Sequence, residues 1–231
     1  RNYGIKHAKN EIIAVTDAGG YPKKDWLEKI TKPFERKEIE VVSGYYKPLA
    51  GTSFEKCVTP YFLVMPDKVW RGMEFLPSSR SVALRKSVWE KVGGYPEQFS
   101  HNEDFVFDHR LKKADAHIFF EPEAVVWWQP PHSLAEAVKK FFRYALGDAE
   151  AKINRPKVKF IFARYILGIV LLLFRYYNVL LFCVLLYFLW SWWKNFKHAK
   201  TRQSIFWLPL IQVTADLGVM SGFLVGITKG K

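Results

Sequence analysis

The sequence predicts an α/β domain with a mostly parallel sheet, followed by a tail of membrane helices. Three observations carry that prediction. Strand-like and helix-like stretches alternate through residues 1–157, the pattern of a sheet covered by helices. From Phe160 to Trp193 the only charged residues are Arg164 and Arg175. The charge also divides unevenly: 26 Lys and Arg stand against 21 Asp and Glu in 1–157, and 9 against 1 in the tail from 158. Much of the formal net charge of +13 thus belongs to a short apolar segment. That pattern suits membrane flanks. Nucleic-acid binding would call for a basic stripe interleaved with exposed aromatics in the polar part, and no nucleic-acid partner is expected.

The polar part is read in order. Ile12 to Thr16 is β-branched and apolar and reads as a strand, closed by Asp17-Ala18-Gly19-Gly20. A helix is expected over about 25–37, started by Pro22 and Asp25. Val41 to Tyr46 is a second strand and Ser81 to Leu84 a third. Lys86 to Val92 is a helix ended by Gly93-Gly94, and Glu103 to Lys113 is an amphipathic helix with Phe107 and Leu111 on its apolar face. Two further strands are expected at 117–120 and 124–128. Strands alternating with helices favour parallel pairing, with ligands at the carboxyl ends of the strands.

The tail is too long for one membrane helix of ~20 residues. Three segments are expected, near 159–175, 177–193 and 204–228, making 158–231 a membrane region. Arg175-Tyr176-Tyr177-Asn178 forms the first hairpin, and Lys194 to Arg202 is a basic loop. The positive-inside rule then puts the polar domain and the 194–202 loop in the cytoplasm. Asp216, inside the third segment, is costly in lipid and should face protein or water. Cys57 and Cys183 fall in different parts and form no disulfide framework, which fits a reducing compartment for the polar part.

Two acidic stretches bear chemistry. Asp17 ends a strand beside two glycines, either as a simple turn or as a ligand-holding strand end. In His101-Asn102-Glu103-Asp104 the acids open a helix. There they either complement the helix dipole or supply a general base.

Together these stretches resemble family 2 glycosyltransferases, inverting enzymes with the GT-A nucleotide-diphospho-sugar transferase fold. "RNYGIKHAKNEIIAVTDAGGYPKKDWL" resembles the segment around the family's strand-end acidic motif. "SRSVALRKSVWEKVGGYPEQFSHNEDFVFDHRLKKADAHIFFEPEAVVW" resembles its acceptor and base segment, and "KKFFRYALGD" its arginine–aromatic segment near the membrane. The resemblance covers nearly all of 1–157. It implies a transferase domain lacking the family's opening strands, which are expected to precede Arg1, so that this fragment alone would be inactive. It implies that Asp104 is the base that deprotonates the acceptor, with Glu103 beside it. Asp17, Arg143 and Tyr144 would serve the nucleotide-sugar donor, and Arg80 and Trp128 the acceptor, a lipid-linked or polysaccharide chain. It further implies a divalent cation, Mg²⁺ or Mn²⁺, at Asp17 with His132 as a further ligand. The family's second acid is replaced by Gly19, so diphosphate and water oxygens would have to complete the shell. The rival expectation is a non-catalytic membrane protein whose degenerate domain binds carbohydrate or a protein partner.

Overall fold

A computed structural model describes residues 1–69, 75–99, 101–153 and 155–229. The elements in chain order are α1 (Asn2–His7), β1 (Ile12–Val15), β2 (Gly20–Pro22), α2 (Trp26–Thr31) with a 3₁₀ turn (Lys32–Glu35), β3 (Val41–Pro48), α3 (Ser53–Phe62), α4 (Pro66–Val69), β4 (Val82–Arg85), α5 (Lys86–Lys91), α6 (Glu103–Lys113), β5 (Ile118–Trp128), α7 (Leu134–Glu150), α8 (Pro156–Leu173), α9 (Tyr177–Ala199) and α10 (Ser204–Lys229). The chain divides into two compact units: Arg1–Leu49 with Leu63–Gln129, and Ala50–Phe62 with Pro130–Lys231.

The first unit is built on one sheet with strand order β1-β4-β3-β5-β2. The expected mostly parallel sheet is corrected here to a mixed one. Only β3 and β5 run parallel; β1–β4, β3–β4 and β2–β5 are antiparallel. A parallel neighbour needs a crossover of a dozen or more residues packed on the same sheet. The α5–α6 stretch between β4 and β5 allows this for β3 and β5. Between β3 and β4 the chain instead spends α3 in the other unit, and β4 comes back antiparallel. The two strands expected at 117–120 and 124–128 are one strand, β5, with a register irregularity opposite Gly44 and Tyr45. The helix expected over 25–37 stops at Thr31 and finishes as the 3₁₀ turn around Pro33, because proline cannot donate to the preceding turn.

Side chains alternate across the sheet. Val41, Val82 and Leu84 pack with Val88, Phe107 and Leu111 on one face. Val42, Ala83, Ala124 and Val126 pack with Trp26, Ile30 and Phe34 on the other. Helices α5 and α6 therefore cover one side and α2 the other, and this fixes where the ends of β1 and α6 emerge.

The second unit is helical. Helix α10 lies along α7 through Gly218, Gly222 and Gly226, spaced by four on one helix face. A Cβ at Gly222 would stand 2.2 Å from the Phe142 carbonyl oxygen, and one at Gly226 2.5 Å from the Ala149 Cβ. Asp216 is 1 % exposed, as its place in an apolar helix requires. It pairs with Arg164 and accepts hydrogen bonds from the Tyr187 hydroxyl at 2.7 Å and the Gln212 amide at 2.9 Å. Among the described residues, α9 and α10 are long and apolar enough to cross a membrane. Helix α8 overlaps the first expected segment and carries Lys157, Lys159 and Arg164 within its 18 residues. Residues 230 and 231 of the expected membrane region lie outside the described residues. Both cysteines are free.

Candidate active site

Strand β1 delivers Asp17 to the sheet edge. The Thr16 hydroxyl donates to the Arg80 carbonyl oxygen at 2.9 Å, tying the strand end to the turn before β4. The Gly20 N–H then closes a turn on the Asp17 carbonyl at 3.0 Å. Gly19 inside that turn has φ +86°, a conformation costly for any residue with a Cβ. The glycine at the position of the expected second acid is therefore demanded by the backbone.

Asp17 and Glu103 are brought together by Arg1. Its guanidinium donates to the Asp17 carboxylate at 2.7 Å and to Glu103, and lies 5.5 Å from the Tyr95 ring centroid. Glu103 opens α6 after Asn102, which adopts a left-handed φ of 60° and caps without a side-chain bond. Asp104 follows, partly buried, its Oδ1 accepting from the Phe105 N–H at 2.9 Å. Burial first, and the Glu103 charge second, push the Asp104 carboxyl above the usual carboxylate range, against the pull of Arg80, the Phe105 N–H and Arg1. One turn later Asp108 is 3 % exposed. Burial and the neighbouring Asp104 push its carboxyl well up, with Lys112 opposing. Two carboxylates one helical turn apart discourage each other's ionisation. The outcome is a carboxyl at the head of α6 poised to take up a proton.

The Arg80 guanidinium lies over the Tyr46 ring at 5.1 Å and over the Trp128 ring at 4.8 Å, a cation–π contact with each. The two residues expected at the acceptor, Arg80 and Trp128, thus touch each other, within the same unit as Asp17, Glu103 and Asp104.

Arg143, Tyr144 and His132 belong to the second unit. Arg143 is exposed on α7, and Tyr144 meets the Phe62 ring edge-on at 5.8 Å. His132 turns its Nδ1 to Glu55, 2.6 Å away. Glu55 is buried and also accepts from the Gly51 and Thr52 N–H groups at 2.8 Å each. The Thr52 N–H first, then His132 and Gly51, hold the Glu55 carboxyl below its usual range against its burial. The imidazole is thereby oriented by a carboxylate, with Nε2 left for other partners.

The fit to a divalent cation is poor. Hard cations take several oxygen ligands, yet Asp17 is engaged by a guanidinium and Gly19 offers no side-chain oxygen. Among the described residues no group of three His, Cys, Asp or Glu side chains is placed to hold a metal. Sequence reasoning missed Arg1, Asp108 and Glu55. Asp108 left a trace in the four-residue spacing from Asp104; a lone Arg and a lone Glu left none.

Comparison with known proteins bears on this arrangement. The chain is 25% identical over 173 residues to the glycosyltransferase AglE of Haloferax volcanii, covering 71% of this chain and 54% of that one. It is 36% identical over 67 residues to the succinoglycan biosynthesis protein ExoA of Rhizobium meliloti, covering 29% of this chain and 20% of that one. The chain therefore spans about half or less of the length of these relatives. A solved structure of the mannosyltransferase PcManGT from Pyrobaculum calidifontis, in complex with GDP-Man and Mn²⁺, is similar at a TM-score of 0.49 and 15% identity, over 95% of this chain and 65% of that one. The profile described as glycosyl transferase family group 2 matches residues 12–219, nearly the whole chain. The chain belongs to that glycosyltransferase family.

Proposed function

We propose that the protein containing this chain transfers a sugar from a nucleotide-diphosphate donor to a hydroxyl of a lipid-linked or polysaccharide acceptor, with inversion at the anomeric carbon. The observation that supports this reading is the Asp104 carboxyl, raised in pKa at the head of α6, beside Asp17 and Glu103 held by one guanidinium. In a direct displacement the acceptor oxygen forms a bond to the anomeric carbon while the bond from that carbon to the diphosphate oxygen breaks. The acceptor proton goes to Asp104, and the bonding pair leaves with the nucleoside diphosphate. A base whose pKa is lifted toward the working pH serves this step better than an ordinary Asp. Arg80 and Trp128 would contact the acceptor, and Asp17 the donor. Arg143 and Tyr144 would face the diphosphate, for which a guanidinium can bind two oxygens at once. The residues present do not fit a metal site. The protein would sit in the membrane through its apolar helices, with this chemistry on the cytoplasmic side.

The test is donor turnover by the full-length protein, screened across nucleotide sugars with and without glycan acceptors. Release of nucleoside diphosphate from at least one donor, accelerated by acceptor, is the expected result. Absence of turnover with every donor would overturn this reading in favour of a carbohydrate-binding role.

A further inference from the structure

Beside the carboxylate cluster lies a cleft of about 570 Å³ that the chemistry above leaves unused. It is lined by the half-buried Trp89 of α5 and by Glu90, Glu97 and Gln98, all three exposed. The frame is fixed. The Asn2 side chain accepts from the Trp89 Nε1–H at 3.2 Å and the Tyr95 N–H at 2.9 Å, and donates to the Tyr95 carbonyl and to Glu97 at 2.7 Å each. Arg110, also of the lining, donates to the Gly94 carbonyl at 3.1 Å.

Charge decides which ligand suits it. Two carboxylates outnumber one guanidinium, and that guanidinium is already turned toward backbone carbonyls. A nucleotide or a lipid phosphate would meet net negative charge there. A purely apolar ligand would leave the polar lining unpaired. What remains is an uncharged, many-hydroxyl molecule able to donate to carboxylates and amides while resting against an aromatic ring. The position points the same way. Asn2 in the cleft wall is bonded to Arg1, which holds Asp17 and Glu103, and Tyr95 of the cleft lies beneath that same guanidinium.

We propose that this cleft is a subsite for neutral sugar units of the acceptor glycan, those preceding the unit whose hydroxyl is activated. The proposal rests on the transferase reading above, and it predicts that acceptor chains are recognised by length.

The test uses the full-length protein with neutral oligosaccharide acceptors of increasing length, and the paired change Glu97→Ala with Gln98→Ala in the exposed lining. Loss of hydrogen bonds to a carboxylate should raise acceptor KM about tenfold for the longer chains. It should leave the shortest acceptor, donor KM and donor hydrolysis to water unchanged. Equal effects on short and long acceptors, or none on either, would overturn the subsite. Should the pair also lose donor hydrolysis, Glu90→Gln, which removes only a charge of the lining, decides by the same length comparison. If the unaltered protein turns over no donor, direct titration with the oligosaccharides still decides. Binding that strengthens with length and weakens in the pair supports the cleft even as the transferase reading falls, and no length dependence overturns it.

Discussion

At the residue scale, the pH response of the proposed base follows from which charges face it. Asp104 is raised by burial and by Glu103, and lowered by Arg80, the Phe105 N–H and Arg1; Asp108 and Tyr95 lie close enough to feel its charge. A base works only when ionised, so activity should rise with pH through a limb set above the ordinary Asp range. Glu103→Gln removes a charge that disfavours ionisation and should move that limb to lower pH. Arg80→Gln removes one that favours it and should move the limb to higher pH. Asp104→Asn should abolish the limb and cut turnover by ~10²–10⁴-fold with donor binding retained. Profiles of kcat/KM against pH for the full-length protein check all three. Shifts of the same sign in Glu103→Gln and Arg80→Gln would remove Asp104 from the role of base. The places of Asp17 just past β1 and of Asp104 at the head of α6 were legible in the sequence because each lies at the end of a periodic element. Arg1 was not, because its importance lies in joining two carboxylates 16 and 102 positions away, a closure that no local pattern encodes.

At the element scale, periodicity located β1, β3, β4, α5 and α6, because each has one or both faces buried against the sheet. It could not give strand direction, which depends on where the intervening chain goes. Here α3 departs to the other unit and the sheet turns mixed. The three-residue β2 is too short to show any pattern and exists through its pairing with β5. The glycines of α10 were equally silent, yet they leave no room for a Cβ between α10 and α7. Gly222→Ala would drive a Cβ into the Phe142 carbonyl, 2.2 Å away, whereas a Cβ at Gly168 in α8 meets nothing nearer than Leu180 Cδ1 at 4.0 Å. Overpacking of this kind costs about 1–3 kcal/mol, while Gly→Ala in an uncrowded helix is favourable by up to about 1 kcal/mol. Thermal unfolding of the full-length protein in detergent should show a lowered midpoint for Gly222→Ala and no loss for Gly168→Ala. Equal midpoints for the two would mean that α7 and α10 do not pack through this glycine face.

At the scale of the whole molecule, the partition of charge argues for a membrane orientation. The tail carries 9 basic residues against one acid, and that acid is already neutralised by Arg164 inside the second unit. The remaining eight basic residues of the tail face no other acid of the tail. They concentrate at Lys194, Lys197, Lys200 and Arg202, at and beyond the end of α9, where anionic cytoplasmic lipid is worth ~1 kcal/mol per Lys or Arg. Helix α8, at 18 residues and 1.5 Å rise per residue, reaches roughly 27 Å, close to the ~30 Å of a hydrocarbon core. We propose that α8 and α9 cross the membrane as an out-and-back pair, which would put the 194–202 segment on the cytoplasmic side. A single cysteine can report this once Cys57 and Cys183 are replaced by Ser. Tyr176→Cys, in the hairpin between α8 and α9, should be labelled by a membrane-impermeant thiol reagent on intact cells. His198→Cys should be labelled only after the membrane is opened. Labelling of His198→Cys from outside would overturn the orientation, and with it the cytoplasmic placement of the Asp104 site. Protection of both positions on intact cells would show instead that the α8–α9 hairpin enters the bilayer without crossing it.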